Sequence, residues 1–289
     1  MAPRSTTTFP PLLPPGRRLE LPGRGTTFIR ELAGPPGAPT LLLLHGWIAT
    51  ADLNWWTSYR ELAREFHVVA MDHRGHGRGI RPRHRFRLVD CAGDAAAVIQ
   101  ALGLGPTIVV GYSMGGPIAQ LTWRDHPREV RGLVLCATSR SFPTGARERA
   151  AISAFGYGVS LTPGPVRHRA LGMMLSRGGG RPAYTEWMMD ELKGHRMGDI
   201  LEAGRELGRF NSAPWIGAVD VPTDVIVMTR DAVVPPGRQY QLARAIPGAV
   251  LREVEGDHIA CSTSPGRFVP ALVAACRDVA RRSEAPRAA

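Results

Sequence analysis

Residues 107–118 read Thr-Ile-Val-Val-Gly-Tyr-Ser-Met-Gly-Gly-Pro-Ile, and this stretch decides the fold. An apolar run suited to a buried strand stops at Val110, and a helical pattern begins at Pro117. Between them, Gly111-Tyr112-Ser113-Met114-Gly115 has the G-x-S-x-G form of a sharp strand-to-helix turn. Such a turn strains the serine backbone, presents its hydroxyl, and leaves no room for side chains at the flanking glycines. The pattern therefore predicts a nucleophilic serine; a glycine-rich turn with an idle serine is the alternative.

The rest of the chain alternates between apolar runs and helical patterns. Eight runs predict strands, at 18–21, 27–32, 41–44, 67–71, 107–110, 132–136, 224–228 and 250–254. Helices are predicted at 54–65, 89–102, after the turn at 111–115, at 238–245 and at 267–281. The first two strands form an antiparallel hairpin, and the repeated strand-helix-strand units predict an α/β fold. We expect a mostly parallel eight-stranded sheet flanked by helices, with functional loops at the carboxyl ends of its strands.

The interval 141–214 breaks this alternation. It carries several helical patterns, a run of glycines at 178–180 and many methionines. We expect a helical cap inserted after the sixth strand, with Trp187 and Met188 lining an apolar substrate pocket. The alternative is that these side chains only hold the cap to its own core. The predicted organisation is an extended or disordered lead-in at 1–16, a core at 17–140 and 215–282, the cap at 141–214, and a disordered tail at 283–289.

The chain of 289 residues is long enough for one large α/β domain. Its net charge of +11 would ordinarily indicate nucleic acid as a partner. However, Lys193 is the only lysine, and the 35 arginines are spread along the chain as expected from GC-rich coding. We therefore predict no nucleic-acid partner. The densest arginine group is either a solvated loop or a local anion site, and its members are Arg74, Arg78, Arg81, Arg83, Arg85 and Arg87.

Cysteine spacing and hydropathy bear on the compartment. Cys91, Cys136, Cys261 and Cys276 show no C-x-x-C spacing, which is typical of buried thiols in a reducing environment. The first 16 residues lack the apolar core of a signal peptide, and the apolar run 41–44 is too short to span a membrane. The sequence predicts a cytoplasmic protein without a membrane span.

A nucleophilic serine needs a base, a group that orients the base, and donors for the oxyanion. His258 follows the last predicted strand, and Asp231 follows the strand before it. The loop that begins at His45-Gly46-Trp47 follows the third strand, which would place the backbone N–H of Trp47 opposite that of Met114 as an oxyanion hole.

Several alternatives accompany this assignment. Asp257 is a second candidate acid, but side chains adjacent on a turn diverge, so Asp231 is favoured. Cys261 is a second candidate nucleophile, although it lacks a sharp turn. His73 and His76 share a turn without the further ligands that a metal site requires, and no metal is predicted.

These motifs resemble the α/β-hydrolase superfamily over residues 17–282. The resemblance includes the Asp72-His73-Arg74-Gly75-His76-Gly77 turn and the order Ser113, Asp231, His258. The pairing of His45-Gly46-Trp47 with Ser113-Met114-Gly115-Gly116 is similar to the cofactor-free bacterial esterases and perhydrolases once called non-haem haloperoxidases. The resemblance implies the α/β-hydrolase fold and no cofactor. It also implies that Ser113 is the nucleophile, that His258 is the general base and acid, and that Asp231 orients the imidazole.

The function expected from this reading is that of a serine hydrolase. It would cleave a small carboxylic ester or related acyl substrate through an acyl-enzyme intermediate. The serine at the turn argues against the haloalkane dehalogenase and epoxide hydrolase branches, which resemble this pattern but carry aspartate there. Perhydrolysis, C–C bond hydrolysis and acyl transfer on the same triad remain open, as does a ligand-sensing protein that has kept the fold.

Overall fold

The structure, a computed structural model, describes residues 11–81, 84–142 and 182–284. Its strands are β1 (Gly16–Leu21), β2 (Gly25–Leu32), β3 (Thr40–Leu44), β4 (His67–Met71), β5 (Thr107–Tyr112), β6 (Val130–Cys136), β7 (Thr223–Met228) and β8 (Val250–Val254). Its helices are α1 (Ala51–Trp55), α2 (Tyr59–Leu62), α3 (Leu88–Ala101), α4 (Gly115–Asp125), α5 (Pro182–Leu192), α6 (Met197–Arg209), α7 (Pro236–Ala245), α8 (Ala260–Thr263) and α9 (Pro265–Glu284).

The eight strands form one sheet in the order β1-β2-β4-β3-β5-β6-β7-β8. β2 pairs antiparallel with both β1 and β4, and the remaining pairs are parallel. This confirms the predicted mostly parallel sheet and its antiparallel hairpin. The order also brings the carboxyl ends of β3, β5, β6, β7 and β8 to one edge of the sheet, where the loops of the candidate site lie.

β3 shows why an unbroken apolar run was needed at the centre of the sheet. Its four leucines are fully buried, and alternate residues point to opposite faces. Leu42 and Leu44 pack with α3 and α4, whereas Leu41 and Leu43 pack with α1 and α9. A strand covered by helices on both faces has no solvent side, so alternation with polar residues is absent.

Some predicted boundaries were wrong. The segment predicted as one helix at 54–65 forms two short helices, α1 and α2. At the end of α1, the backbone N–H groups of Trp56 and Ser58 donate to the carbonyls of Asp52 and Trp55, and the chain then turns before α2 begins. Between them, the Thr57 hydroxyl donates to the Cys261 carbonyl at 2.7 Å, which ties this break to the distant α8.

The two termini also differ from the prediction. Gly16, assigned to the lead-in, is the first residue of β1. α9 continues to Glu284, so the first two residues of the predicted tail are helical. Arg282 explains this extension, because its guanidinium bonds to Asp224 and to the Thr223 carbonyl and thereby binds the last turn to β7. Residues 1–10 and 285–289 lie outside the described residues.

The interval between β6 and β7 contains the helical insertion that the sequence predicted after the sixth strand. Its described part holds α5 and α6, and α6 turns Ile200, Ala203 and Leu207 into buried positions. Met173, Met174 and the glycines at 178–180 lie outside the described residues. Within residues 11–81, 84–142 and 182–284, no helix has both the length and the apolar character needed to cross a bilayer.

Candidate active site

The turn between β5 and α4 has the strained geometry that its glycines predicted. Ser113 has a φ of 51°, in the left-handed region that few non-glycine residues adopt. A Cβ at Gly111 would lie 2.3 Å from the Gly115 carbonyl oxygen, and a Cβ at Gly115 would lie 2.2 Å from that of Leu44. Both clashes are with main-chain atoms of the sheet or turn, so larger residues are excluded.

The neighbouring strand holds the turn in place. The Ser113 N–H donates to the Cys136 carbonyl at 2.9 Å, and the Thr138 hydroxyl donates to the Ser113 carbonyl at 2.8 Å. Both polar groups of the Ser113 main chain are therefore bonded to β6 or the residues after it. These bonds balance the cost of the left-handed backbone and leave the Ser113 side chain to point elsewhere.

The loops after β5, β7 and β8 bring three polar side chains into one chain of hydrogen bonds. The Ser113 Oγ lies 2.9 Å from Nε2 of His258, and Nδ1 of His258 lies 2.7 Å from Oδ2 of Asp231. The Asp231 side chain is fully buried, and that of His258 is 17% exposed. A hydroxyl, an imidazole and a buried carboxylate in this order can transfer the hydroxyl proton to the imidazole and stabilise the resulting charge.

Asp231 is held by four donors. Its Oδ1 accepts the backbone N–H groups of Val233 and Val234, each at 2.8 Å, and its Oδ2 accepts Nε2 of Gln239 at 3.1 Å in addition to the imidazole. The carboxylate thus has partners on both oxygens, which locks its orientation toward His258. Charge-assisted bonds of this kind are stronger than neutral ones.

Gln239 was missed by the sequence analysis. It is fully buried on α7, its Oε1 accepts the Met228 N–H at 3.0 Å, and its Nε2 also donates to the Val234 carbonyl at 2.7 Å. A signal did exist, because Gln239 lies three residues before the buried Leu242 and therefore on the buried face of α7. A buried amide needs partners, so that position pointed toward a polar network.

The alternative acid lies apart from this chain. The Asp257 Oδ1 accepts the Ile259 N–H at 3.0 Å and the Thr263 hydroxyl at 3.3 Å. These contacts place the exposed Asp257 side chain at the start of α8, where it stabilises the turn after β8. The structure therefore groups His258 with Asp231.

The loop after β3 runs alongside the serine. A Cβ at Gly46 would lie 3.3 Å from the Ser113 Cβ, a tight contact, so the main chain of this loop passes close to the serine. The Gly46 N–H donates to the Asn54 Oδ1 at 2.9 Å, which anchors the loop to α1. Asn54 is buried and was not singled out from the sequence.

His45 sets the orientation of the next peptide. The His73 N–H donates to the His45 Nε2 at 2.9 Å, so the ring proton is on Nδ1, which donates to the Gly46 carbonyl at 2.7 Å. Burial lowers the pKa of His45 and keeps this neutral form. Because C=O and N–H of a trans peptide point in opposite directions, the Trp47 N–H points away from the His45 ring. Met114 precedes α4, whose first amides lack partners within the helix.

Four imidazoles gather behind this loop. The ring centroids of His45 and His73 are 4.2 Å apart, those of His45 and His76 are 5.5 Å apart, and those of His76 and His195 are 5.5 Å apart. Burial lowers the pKa of His73 and His76 well below the usual value and that of His195 to about 4. His195, which follows α5, was not predicted to join them. Within the described part of the chain, no cluster of three or more His, Cys, Asp or Glu residues has the arrangement of a metal site.

The second candidate nucleophile is unsuited to the role. Cys261 is buried, and burial raises the pKa of its thiol to about 11. The thiolate, which is the reactive form, is therefore scarce near neutral pH.

Most arginine side chains of the arginine-rich loop form hydrogen bonds with other residues of the protein. Arg83 lies outside the described residues, and Arg85 is exposed. The remaining guanidinium groups have these partners: Arg74 with Asp94, Arg78 with Asp52 and Asp72, Arg81 with the carbonyls of Gly77 and Gly194, and Arg87 with Asp90. An anion would have to compete with these bonds, so the loop is chiefly structural.

The predicted pocket residues lie on α5. Trp187 is buried and packs against the rings of Trp56 and Tyr184, with centroid separations of 6.0 Å in both cases. Met188 is half-buried. Trp187 is therefore part of an aromatic cluster that joins α5 to the end of α1. Its role toward a substrate stays a prediction.

Comparisons with known proteins agree with this architecture. Residues 39–173 match the family model described as alpha/beta hydrolase fold. A pimeloyl-[acyl-carrier protein] methyl ester esterase of Chromobacterium violaceum is 30% identical over 253 residues, which cover 81% of this chain and 92% of that protein. A poly(3-hydroxyalkanoate) depolymerase of Ectopseudomonas oleovorans is 26% identical over 83% of this chain and 85% of that protein. The crystal structure of a bromoperoxidase from Bacillus anthracis superposes with a TM-score of 0.79 at 18% identity, covering 91% of this chain and all of that one.

Proposed function

Because this chain belongs to the α/β-hydrolase family and is a hydrolase of that fold, we propose that it is a serine hydrolase that cleaves carboxylic esters or related small acyl compounds. The observation that carries this proposal is the continuous chain of hydrogen bonds from the Ser113 Oγ through His258 to Asp231. A serine reactive enough for acyl transfer needs such a base beside it.

The proposed mechanism assigns one task to each group. His258 Nε2 takes the proton of the Ser113 hydroxyl as the Oγ attacks the ester carbonyl carbon. The Asp231 carboxylate stabilises the imidazolium through Nδ1. The imidazolium then protonates the leaving alcohol, and an acyl-enzyme remains on Ser113. His258 then deprotonates a water molecule that attacks the acyl carbon, and the imidazolium returns the proton to the Ser113 Oγ as the bond between Oγ and the acyl carbon breaks and the carboxylic acid leaves.

The backbone N–H groups of Trp47 and Met114 are the proposed oxyanion donors. Gly46 lies close to the Ser113 Cβ, and the His45 ring holds the Gly46 carbonyl, so the Trp47 N–H points away from that ring. Met114 directly follows the nucleophile and precedes α4, where the N–H groups of a helix start favour negative charge. Two preorganised donors at this position would hold the tetrahedral intermediate, and each is worth roughly 10²–10³ in kcat in comparable enzymes.

Two of the relatives support ester chemistry. One similar protein is named a methyl ester esterase, and another is named a poly(3-hydroxyalkanoate) depolymerase. The buried, hydrogen-bonded Asp231 and the strained backbone of Ser113 support an enzyme over a ligand-sensing protein. A protein that only binds its ligand needs neither feature.

A fluorophosphonate probe and short p-nitrophenyl esters test the assignment. The wild type should react with both, and Ser113→Ala should lose both while keeping its thermal unfolding midpoint within a few degrees. Ser139→Ala is the matched control, because Ser139 is also buried and follows β6 at the same edge of the sheet. Labelling that survives in Ser113→Ala would disprove the nucleophile, and a wild type that reacts with neither reagent would disprove the hydrolase.

A further inference from the structure

The side chain of Trp47 reaches from the loop after β3 to α6. Its indole Nε1–H donates to the Ile200 carbonyl at 2.8 Å. Ile200 and Gly204 are one turn apart, so they lie on the same face of the helix. The Trp47 ring covers Gly204: a Cβ added there would lie 2.6 Å from the Cζ2 of Trp47 and 3.1 Å from its Cη2.

Gly204 makes this contact possible. The Ile200 carbonyl is also the intrahelical acceptor for the residue four positions later, which is Gly204 itself. A side chain on that residue would occupy the space through which the indole reaches the carbonyl. Glycine in a helix interior destabilises it by roughly 0.5–1 kcal/mol relative to alanine. The buried Gly204 therefore forms a notch, with Ile200, that accepts a ring from another part of the chain.

The residues on either side of Trp47 are constrained as well. Gly46 is bonded to Asn54 through its N–H and to His45 through its carbonyl. Ile48 has a φ of 55°, which is a genuine outlier for a β-branched residue. Such a backbone persists only where the surroundings hold it. Trp47 lies between Gly46 and Ile48, and its own side chain is held by the contact with α6.

We infer that the notch formed by Gly204 and Ile200 positions Trp47. Helix α6 of the insertion thereby sets the geometry of the loop after β3, which carries the proposed oxyanion donor. Gly204 and the Trp47 indole are then positioning residues for the reaction. This inference rests on the proposed function, in which the Trp47 N–H meets the oxyanion. Its consequence is that catalysis depends on a helix that does not itself touch the reacting atoms.

Gly204→Ala tests this with a control in the same helix. A Cβ at Gly198 would meet nothing within 4 Å, so Gly198→Ala adds the same methyl group without a clash. We expect Gly204→Ala to lower kcat for p-nitrophenyl esters by roughly 10- to 100-fold, the range for a misplaced oxyanion donor, with little change in KM. An aryl boronic acid, which forms a tetrahedral adduct with the serine, should bind more weakly by a similar factor. Gly198→Ala should behave as the wild type, and equal activity of the two variants would overturn the inference.

Trp47→Phe completes a double-mutant cycle. Phenylalanine lacks the N–H and the ring atoms that meet Gly204, so this variant alone should also lower kcat. Adding Gly204→Ala to Trp47→Phe should then cost less than about 2-fold, because the clash is gone, and this non-additivity measures the coupling. Additive losses would overturn the inference. If Gly204→Ala by itself folds poorly, the comparison of Trp47→Phe with the double variant still tests the inference, and a further loss well above 2-fold in the double variant would overturn it.

Hydrogen exchange separates this inference from the proposed function. The amides of residues 46–49 should exchange faster in Gly204→Ala than in the wild type and in Gly198→Ala, because the anchor of the loop is displaced. This readout needs no substrate. A wild type without esterase activity would defeat the proposed function and leave the positioning testable, whereas unchanged exchange in Gly204→Ala would defeat the positioning.

Discussion

The Nε2 of Gln239 lies 3.1 Å from the Oδ2 of Asp231, the same oxygen that the His258 Nδ1 contacts at 2.7 Å. One carboxylate oxygen therefore receives both the candidate base and a buried amide from α7. Because Gln239 is itself held by the Met228 N–H, the orientation of Asp231 is connected to the end of β7. The position of the acid is thus set by packing behind it as well as by the histidine in front.

Replacing Gln239 should disturb catalysis in a way that stability alone does not explain. Gln239→Leu removes the donor and leaves the Met228 N–H unpaired, which should cost about 1–3 kcal/mol of folding free energy. We also expect kcat to fall roughly 10-fold, because the Asp231 carboxylate, the proposed acid, would lose one of the donors that orient it. Gln239→Glu, which can place a second carboxylate beside Asp231, should move the acidic limb of the pH–rate profile. Gln100→Leu, at an exposed glutamine, is the control, and an unchanged pH profile in Gln239→Glu would argue against the positioning role.

The two candidate acids should differ by several decades. Asp231→Asn should lower kcat by about 10⁴, as in the well-studied triad, because the amide favours the wrong imidazole tautomer. This corresponds to roughly 5–6 kcal/mol of transition-state stabilisation. Asp257→Asn should have at most a modest effect, since Asp257 bonds to the turn before α8. Steady-state kinetics with one ester settle the ranking, and the reverse order would show that the acid is misassigned.

The insertion should influence acyl-chain preference. Met188 is half-buried on α5, and Met188→Ala should change the ratio of kcat/KM for C4 and C8 esters by roughly 10-fold, the value of one methylene in an apolar pocket. Trp187→Phe is the preferred change at its neighbour, because truncating the buried Trp187 to alanine would cost about 3–5 kcal/mol of stability. Glu186→Ala, on the exposed side of the same helix, is the control. If all the variants show the same ratio of kcat/KM for C4 and C8 esters as the wild type, α5 does not line the substrate pocket.

The buried histidines should make folding sensitive to acid. Burial lowers the pKa of His195 to about 4, whereas an unfolded histidine titrates near 6.5. The unfolded state therefore binds the proton first, so the stability contribution is complete above about pH 6.5 and is lost as the pH falls toward 4. Each such group changes the unfolding free energy by up to about 1.4 kcal/mol per pH unit in this window.

His195→Asn isolates one of these contributions. Urea unfolding between pH 7 and pH 4.5 should show a shallower loss of stability for this variant than for the wild type. His84→Asn, at an exposed position, serves as the reference. If both variants keep the slope of the wild type, His195 has no part in the acid response.

Much of the core was readable from local sequence. The bounds predicted for the strands at 67–71 and 250–254 coincide with β4 and β8, because apolar runs between turn residues are a local property. The strained Ser113 was also predictable, since the G-x-S-x-G form is typical of a sharp strand-to-helix turn. Three polar motifs that each follow a strand could be assigned to one site because parallel strands end at the same edge of a sheet.

Contacts between distant segments were not readable. The break between α1 and α2 depends in part on a bond to residue 261, and the length of α9 depends on Arg282 meeting β7. Propensity describes a segment by itself and carries no information about such partners.

The sequence by itself determined the sheet, the turn at Ser113 and which strand ends carry the polar candidates, because each of these follows from the spacing of neighbouring residues. Only the tertiary structure decided that Gln239 supports Asp231, that His195 joins the other histidines, and that Gly204 accepts the Trp47 ring. These three contacts join residues from different elements. Their existence depends on how helices α5–α7 pack against the loops at the edge of the sheet, and packing is a property of the whole fold.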